Sequence, residues 1–356
     1  MKMYELVSWF QLEYPYLVQN MKNSNHHLTT NDCLQIDQEY SDPRCKPQSL
    51  NPYHLESDVW THTMMVCKQA ENAPYEVQIA ALLHDIGKPS TRAVNPKNGR
   101  VSFYNHDAVS AFMSLEVLKR PELGLSKEQQ IRIFNAIALH TQVFKSTPDQ
   151  LALTCINDME LQDLILGLGQ CDDAGRFTNT ESRTNRIEQM GYVVSKKSLD
   201  KEKEVVVLCG LPGSGKSTWV HNNVYNRTTG ETSMIVSRDH YFAEHFPDLD
   251  YNDAWKSANQ KMIDRWMTQK FAYARKQPHV IIDMTHMSKK SRRKSLSHFD
   301  DSYKKKCVVF LTDLPENYLR NNERDGKIIE KEVIERMMRS FYPPTFEEFD
   351  EIEYII

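Results

Sequence analysis

The 356 residues contain no apolar run long enough to cross a bilayer, and Glu5 and Glu13 interrupt the N-terminal stretch where an export signal needs unbroken apolar residues. The expectation is a cytoplasmic protein that neither spans nor needs a membrane. Cysteine is sparse and unpatterned: Cys33, Cys45, Cys67, Cys155, Cys171, Cys209 and Cys307 are odd in number and include no C-x-x-C pair. That argues against a disulfide framework and a zinc ribbon, fits a reducing compartment, and leaves the thiols as packing residues, Cys171 beside Asp172 included. Charge of one sign is also missing. With 44 Lys+Arg against 48 Asp+Glu the net is −4, so no global positive field announces nucleic acid, although local patches remain open. There is no internal repeat and no low-complexity tract, which excludes a solenoid and a long disordered tail. What is present, 40% hydrophobic and 26% charged residues, is ordinary for a soluble globular chain, and the length exceeds what one core usually supports. Two domains are expected.

The pattern along the chain changes once. From about Ser57 to Arg176, segments such as SDVWTHTMMVCKQA, YEVQIAALLHD and EQQIRIFNAIALHT carry apolar residues at three- and four-residue spacing, which predicts helices and no strand. SKKSLDKEK (195–203) is polar without periodicity, and VVVLCG then opens an alternation of strand-like and helix-like segments, including one helix from about Asp253 to Arg275 and a last helical region. The expected architecture is an all-α domain followed by an α/β domain with a parallel sheet. Boundaries fall at 1–50 for an extension packed on the helical domain, 51–194 for that domain, 195–204 for a linker and 205–356 for the α/β domain. The extension carries no recognisable motif.

Gly210-Leu-Pro-Gly-Ser-Gly215-Lys216-Ser217 matches G-x-x-x-x-G-K-[ST] between a predicted strand and a predicted helix, the context the motif requires. Gly210, Pro212, Gly213, Ser214 and Gly215 would curl the backbone around phosphates, Lys216 adds charge, Ser217 is a magnesium ligand, and Thr218 follows it into the helix. ATP or another nucleoside triphosphate with Mg²⁺ is implied. Asp239 and Asp283 follow the strands SMIVS and HVIID, where a carboxylate serves as a base, organises the metal or simply caps a strand end. Arg320 and Arg324 lie four apart on a predicted helix and are a lid over the phosphates or a solvated basic face. KKSRRK (289–294) reads as a solvated helix face rather than a nucleic-acid contact.

GLPGSGKSTW, SRD, IIDMTH, RNNERDG and FEEFDEI occur in the order seen in polynucleotide 5′-kinases, which the stretch 205–356 resembles. The resemblance implies a P-loop kinase domain in which Lys216 and Ser217 serve phosphates and magnesium, Asp239 is the base for a 5′-hydroxyl, Asp283 supports the site and Arg324 is the lid arginine, with Arg320 beside it. Those kinases often carry an arginine three residues after the base to grip the acceptor phosphate. Phe242 stands there in this chain.

In the helical half His62, the pair His84-Asp85 and Asp172 form an H…HD…D series on separate predicted helices, a ligand set suited to one or two divalent transition ions of the Mn, Ni, Co or Fe type. His106 and His140 sit at helix ends where ligands of a second ion would sit; His140 taken alone reads as a core residue. LLHDIGKPSTRAVNPKNGRVSFYNHDAVSA, with His62 upstream, resembles the HD phosphohydrolase superfamily and the HD domains of bacterial tRNA nucleotidyltransferases. That implies His62, His84, Asp85 and Asp172 as ligands, His106 and His140 as ligands of a second ion, and Lys88 as a phosphate contact. Asp173 competes with Asp172 for its place, and His54 is either a phosphate contact or a surface residue.

An HD domain fused ahead of a polynucleotide kinase resembles the bacterial HD-Pnk end-healing enzymes. The resemblance implies a bifunctional enzyme that phosphorylates 5′-hydroxyl ends of RNA or DNA and hydrolyses 2′,3′-cyclic, 2′- or 3′-phosphates, with a separate ligase as a possible later partner. The alternatives are a nucleoside or other small-molecule kinase fused to an HD nucleotide phosphohydrolase, and a regulatory protein whose P-loop only senses nucleotide.

Overall fold

The computed structural model describes residues 1–33, 54–95, 99–147, 150–151, 154–155, 158–178, 201–225 and 232–356. Cys45, residues 179–194 and the linker residues 195–200 lie outside these; of the rest of the expected linker, Lys203 already opens a strand. The chain forms two compact units, Met1–Val193 and Val194–Ile356.

In the first unit α1 (Met3–Glu13) and α2 (Pro15–Asn23) precede α3 (Val59–Gln69), whose N-cap Asp58 accepts from the Thr61 amide at 2.9 Å. Phe10 of α1 stacks on Trp60 of α3 with ring centroids 6.5 Å apart. Then come α4 (Tyr75–Leu83), the short α5 (Lys88–Thr91), α6 (His106–Leu118), α7 (Lys127–Leu139) and α8 (Met159–Ala174). Ser126 and Gln129 form a capping box at α7, and Asp158 caps α8. Leu83, Ile86, Phe112, Leu115, Phe134 and Leu168 are buried between the helices. Gly87 permits the turn after α4 to press on α6: a Cβ there would sit 2.6 Å from the Ser110 backbone nitrogen.

The expectation of no strand in this half is corrected by a small antiparallel pair, β1 (Arg92–Val94) and β2 (Val101–Phe103). Its three-residue strands are too short to show a period of two in sequence. Arg92 of β1 pairs with Asp32 and donates to the carbonyls of Asn25 and His27, tying the N-terminal segment to the helices.

The second unit is a five-stranded parallel sheet in the order β4-β5-β3-β6-β7: β3 (Lys203–Cys209), β4 (Met234–Ser237), β5 (His279–Asp283), β6 (Tyr303–Phe310) and β7 (Glu351–Ile355). The β-branched run of β3 fills its centre and is buried, as a strand covered on both faces requires. The connections are α9 (Lys216–Asn223), α10 (Asp239–His245), α11 (Tyr251–Ser257), α12 (Gln260–Ala274), α13 (Lys289–Leu296), α14 (Leu314–Asn322) and α15 (Lys331–Arg339).

Three expectations change here. The single helix read from Asp253 to Arg275 is broken, because Ala258 is extended and the Asn259 side chain caps a new helix through the Lys261 amide at 2.9 Å. The last region is not purely helical. EIEYI has period two, and Glu351 and Glu353 pair with Lys306 of β6 at 2.8 and 2.7 Å, so the chain ends as an edge strand. Within KKSRRK, Arg292 is not on a solvated face: it is fully buried, 2.8 Å from Glu348, and donates to the Tyr342 carbonyl at 2.9 Å.

Arg292→Ala would strand the Glu348 carboxylate without its partner, so the full chain is expected to lose about 3–5 kcal/mol in urea unfolding. The Arg292→Met/Glu348→Leu pair, which removes both charges, is expected to recover most of that loss.

Candidate functional site

The helical unit gathers its titratable groups where α3, the α4 turn, α6, α7 and α8 meet. His62 lies one turn into α3, His84 and Asp85 follow the end of α4, His106 opens α6, His140 closes α7, and Asp172 lies near the end of α8. His84 donates through Nδ1 to the Ala81 carbonyl at 2.9 Å, His106 to Phe103 at 2.8 Å and His140 to Ile137 at 2.7 Å. A ring whose Nδ1–H is committed to the backbone presents a lone pair at Nε2, so this network assigns three acceptor nitrogens that face inward.

Asp85 divides them into two sets. Its Oδ2 lies 3.1 Å from His84 Nε2 and 3.4 Å from His62 Nε2; its Oδ1 lies 3.2 Å from His106 Nε2 and 3.9 Å from His140 Nε2. Asp172 joins the first set, with Oδ1 3.1 Å from His62 Nε2. The ligand atoms of His62, His84 and Asp85, and those of Asp85, His106 and His140, lie within 4.8 Å of one another.

This donor set fits divalent cations. Nε2 of His62 and of His84 and both oxygens of Asp85 are buried without a well-aligned hydrogen bond, and the Nε2 atoms of His106 and His140 face each other at 3.2 Å. Lone pairs so placed repel unless positive charge sits between them. Burial would push the Asp85 carboxyl up, but His84, Lys88 and His106 hold it well below the usual range. Asp172 is likewise held far down against burial, chiefly by the His62 ring beside it. Burial, helped by His106 and His84, lowers His140 to about 4. Ionised carboxylates beside a neutral imidazole are the protonation states that ligation requires.

His62, His84, Asp85, His106, His140 and Asp172 are therefore brought together. Asp173 is not among them: it pairs with Arg176. Lys88 is buried, 2.7 Å from Asp85 Oδ2 and 3.4 Å from His26 Nε2. His54 is no surface histidine, since it stacks on His26 at 4.6 Å and its Nδ1 lies 2.7 Å from Glu56 Oε1. The sequence reading missed His26 and Glu56. The Glu56 carboxylate lies 3.0 Å from His62 Nδ1 and fixes that ring with Nε2 inward. No fixed spacing to the HD pair marks either residue, so only the fold brings them in. Glu56→Gln is expected to weaken Mn²⁺ binding by about 10–100-fold in a competition titration against a chelator.

In the second unit the loop between β3 and α9 turns on Gly213 and Gly215, with φ of 81° and 96°, and a Cβ at Gly213 would meet the Asn317 carbonyl at 3.0 Å. Asn317 of α14 donates to the Pro212 carbonyl at 2.7 Å and braces the loop. Lys216 is folded onto the carbonyls of Gly210 and Leu211 at 2.9 and 2.7 Å, and burial lowers its pKa to about 8.

A cavity of about 1060 Å³ opens in front of this loop. Pro212, Gly213, Ser214, Gly215, Lys216, Ser217 and Thr218 line it, together with Asp239, Asp283, Arg320 and Arg324 from other elements; Gly210 is not in the lining, and a Cβ there would sit 2.7 Å from Ser214 Oγ. Asp239 follows β4 and Asp283 is the last residue of β5, so both carboxylates stand at the carboxyl edge where parallel sheets place their ligands. Burial raises the Asp283 carboxyl, against the pull of Lys216. Arg320 pairs with Glu316 on α14, whereas Arg324 lies past the end of that helix, so the expected shared helix face does not form. Lys327, after the Gly326 turn, also lines the cavity and pairs with Asp239. It was not singled out in sequence, because a lysine in a turn carries no spacing signal. Phe242 is buried against Tyr251 and Trp255, with centroids 5.1 and 5.3 Å away.

The family model described as HD domain matches residues 58–165, and that described as AAA domain matches 205–344. An A-adding tRNA nucleotidyltransferase of Deinococcus radiodurans is 39% identical over 75 residues, 20% of this chain and 17% of the relative. A CC-adding tRNA nucleotidyltransferase of Thermus thermophilus is 40% identical over 63 residues, 17% and 14% respectively. The chain thus spans under a fifth of the length of these curated relatives. Among solved structures, the Pnkp1/Rnl/Hen1 complex is 23% identical with a TM-score of 0.28, covering 35% of this chain and 41% of that one. A gluconokinase from Sinorhizobium meliloti is 14% identical with a TM-score of 0.31, covering 44% and 83%. The first unit is a helical HD domain, and the second carries the parallel sheet and loop of a P-loop domain.

Proposed function

We propose that this chain, an HD domain joined to a P-loop domain, heals both ends of a broken nucleic-acid strand. In this reading residues 205–356 transfer the γ-phosphoryl group of ATP or another triphosphate to a 5′-hydroxyl, and residues 51–194 hydrolyse 2′,3′-cyclic, 2′- or 3′-phosphates. Residues 195–202 link the two, and 1–50 are an extension of the first. The observation that carries the proposal is the coexistence of a carboxylate facing a phosphate-binding loop in one unit with a carboxylate set between two histidine groups in the other. One site is built to add a phosphate and the other to remove one, which is futile unless they act on different ends.

In the kinase half the loop amides, Lys216, Ser217 and Thr218 hold the triphosphate; Ser217 would hold Mg²⁺, which would supply positive charge to the phosphates. Asp239 accepts the proton of the attacking hydroxyl, and Asp283 supports the site. Arg320, Arg324 and Lys327 bring positive charge to the phosphoryl oxygens, where most of the catalysis of phosphoryl transfer resides. In the HD half His62, His84, Asp85 and Asp172 would hold one divalent ion and Asp85, His106 and His140 a second. Ions of the Mn, Ni, Co or Fe type bound there supply Lewis-acid charge and acidify water. Lys88 contacts the substrate phosphate, and Glu56 orients His62. The printed names of the tRNA nucleotidyltransferases support RNA as the substrate; a ligase acting afterwards on the healed ends fits the same reading.

The test of the kinase half offers the protein a 5′-hydroxyl oligoribonucleotide, its DNA equivalent, a nucleoside and gluconate, each with labelled ATP. Preferential labelling of an oligonucleotide supports the reading. Transfer to the small acceptors alone replaces it with a small-molecule kinase.

A further inference from the structure

The cavity that holds Asp239 has an aromatic wall. Tyr251 and Trp255 lie one turn apart on α11, so helical spacing puts both rings on one face, with centroids 6.3 Å apart and planes 27° from parallel. Phe242 packs beneath both. Tyr251 is tied to the reacting end of the site: Lys327, which pairs with Asp239, lies 4.1 Å over its ring, and its hydroxyl is pushed up by burial and by Asp239, to which it donates.

Trp255 differs from its neighbours. It lines the cavity yet remains 44% exposed, while Phe242 behind it is almost fully buried, and the Arg238 guanidinium lies 5.9 Å from its ring. Arg238 Nε is buried without a hydrogen-bond partner among the described residues. An open indole on a rigid aromatic backing, next to a cation, is the surface on which a nucleobase stacks. A terminal nucleotide whose 5′-oxygen meets Asp239 carries its base one sugar away from that oxygen, and Trp255 lines the same cavity one helical turn beyond Tyr251, the residue that touches Asp239.

We propose that Trp255, backed by Phe242 and Tyr251, is the stacking platform for the base of the 5′-terminal nucleotide of the acceptor. The inference rests on the 5′-kinase reading and gives Phe242 a role: where related kinases place an arginine for the acceptor phosphate, this chain has an apolar floor for a base. Stacking tolerates every base, so the platform gives affinity without sequence preference.

The test compares two acceptors on the wild-type chain, one with a normal 5′-terminal nucleotide and one whose 5′-terminal residue is abasic, and repeats both with Trp255→Ala and Trp255→Phe. The platform predicts an acceptor KM raised about tenfold by loss of the base, a similar rise for Trp255→Ala on the normal acceptor, and no further rise when the two are combined. The KM for ATP should stay put, and Trp255→Phe should keep most of the affinity. Equal KM values for the two acceptors on the wild-type chain overturn the platform while leaving the 5′-kinase reading intact, as does a Trp255→Ala penalty of the same size on both. Failure of the wild-type chain to phosphorylate any oligonucleotide overturns both.

Discussion

Asp85→Asn is expected to abolish hydrolysis of 3′-terminal phosphates, with a fall of at least about 10³-fold, while 5′-phosphorylation continues at the wild-type rate. The magnitude follows from where the residue stands. Asp85 faces both histidine groups, one oxygen toward His62 and His84 and the other toward His106 and His140. An amide offers one neutral oxygen and an NH₂ group with two donors in place of two anionic acceptors, so both ligand sets lose their shared charge. A site that depends on several kcal/mol of Lewis-acid stabilisation loses about tenfold in rate for each 1.4 kcal/mol removed. The measurement is the rate of 2′,3′-cyclic phosphate opening with Mn²⁺, beside the metal content of the purified variant. Full 3′ activity in Asp85→Asn would contradict the assignment.

Asp239→Asn is expected to lower the rate of 5′-phosphorylation by about 10²–10⁴-fold, the usual contribution of a positioned base. Asp239 shares its cavity with Lys216 and Ser217 and approaches it from the carboxyl end of a different strand, so its removal leaves the loop and its ligand contacts in place. KM for ATP should change little and kcat should carry the loss. Lys327 gives a further check. It pairs with Asp239, so the variant frees a cation within the cavity, and ATP binding should be unchanged or stronger even as turnover collapses. Loss of ATP binding in parallel with turnover would assign Asp239 to nucleotide binding instead.

Much of both sites is written in local sequence, for definite reasons. The P-loop needs glycine at positions of positive φ and a lysine at the first helical position, and these requirements fall within eight consecutive residues. The HD series is legible because His84 and Asp85 are adjacent and because His62, His106, His140 and Asp172 lie on or at the ends of strongly periodic helices. The residues that escaped are those whose role comes from three-dimensional approach. Glu56 acts through His62, His26 through Lys88, and Lys327 through Asp239, and no spacing rule connects the members of these pairs. Arg292 shows the opposite error: a run of basic residues suggested a wet helix face, but one of them reaches Glu348 in the interior. At β7 alternating glutamates disguised a strand whose carboxylates are neutralised by lysines of β6, a pairing visible only across the sheet.

Both activities can be read from one oligoribonucleotide carrying a 5′-hydroxyl and a 2′,3′-cyclic phosphate. It is incubated with ATP, Mg²⁺ and Mn²⁺ and the wild-type chain, Lys216→Ala or Asp85→Asn, and both ends are analysed from the same reaction. The wild-type chain is expected to heal both ends, Lys216→Ala to lose only the 5′ phosphorylation, and Asp85→Asn to lose only the 3′ hydrolysis. Two unchanged ends with the wild-type chain, or loss of both activities from either single variant of a folded chain, would contradict two-site end healing.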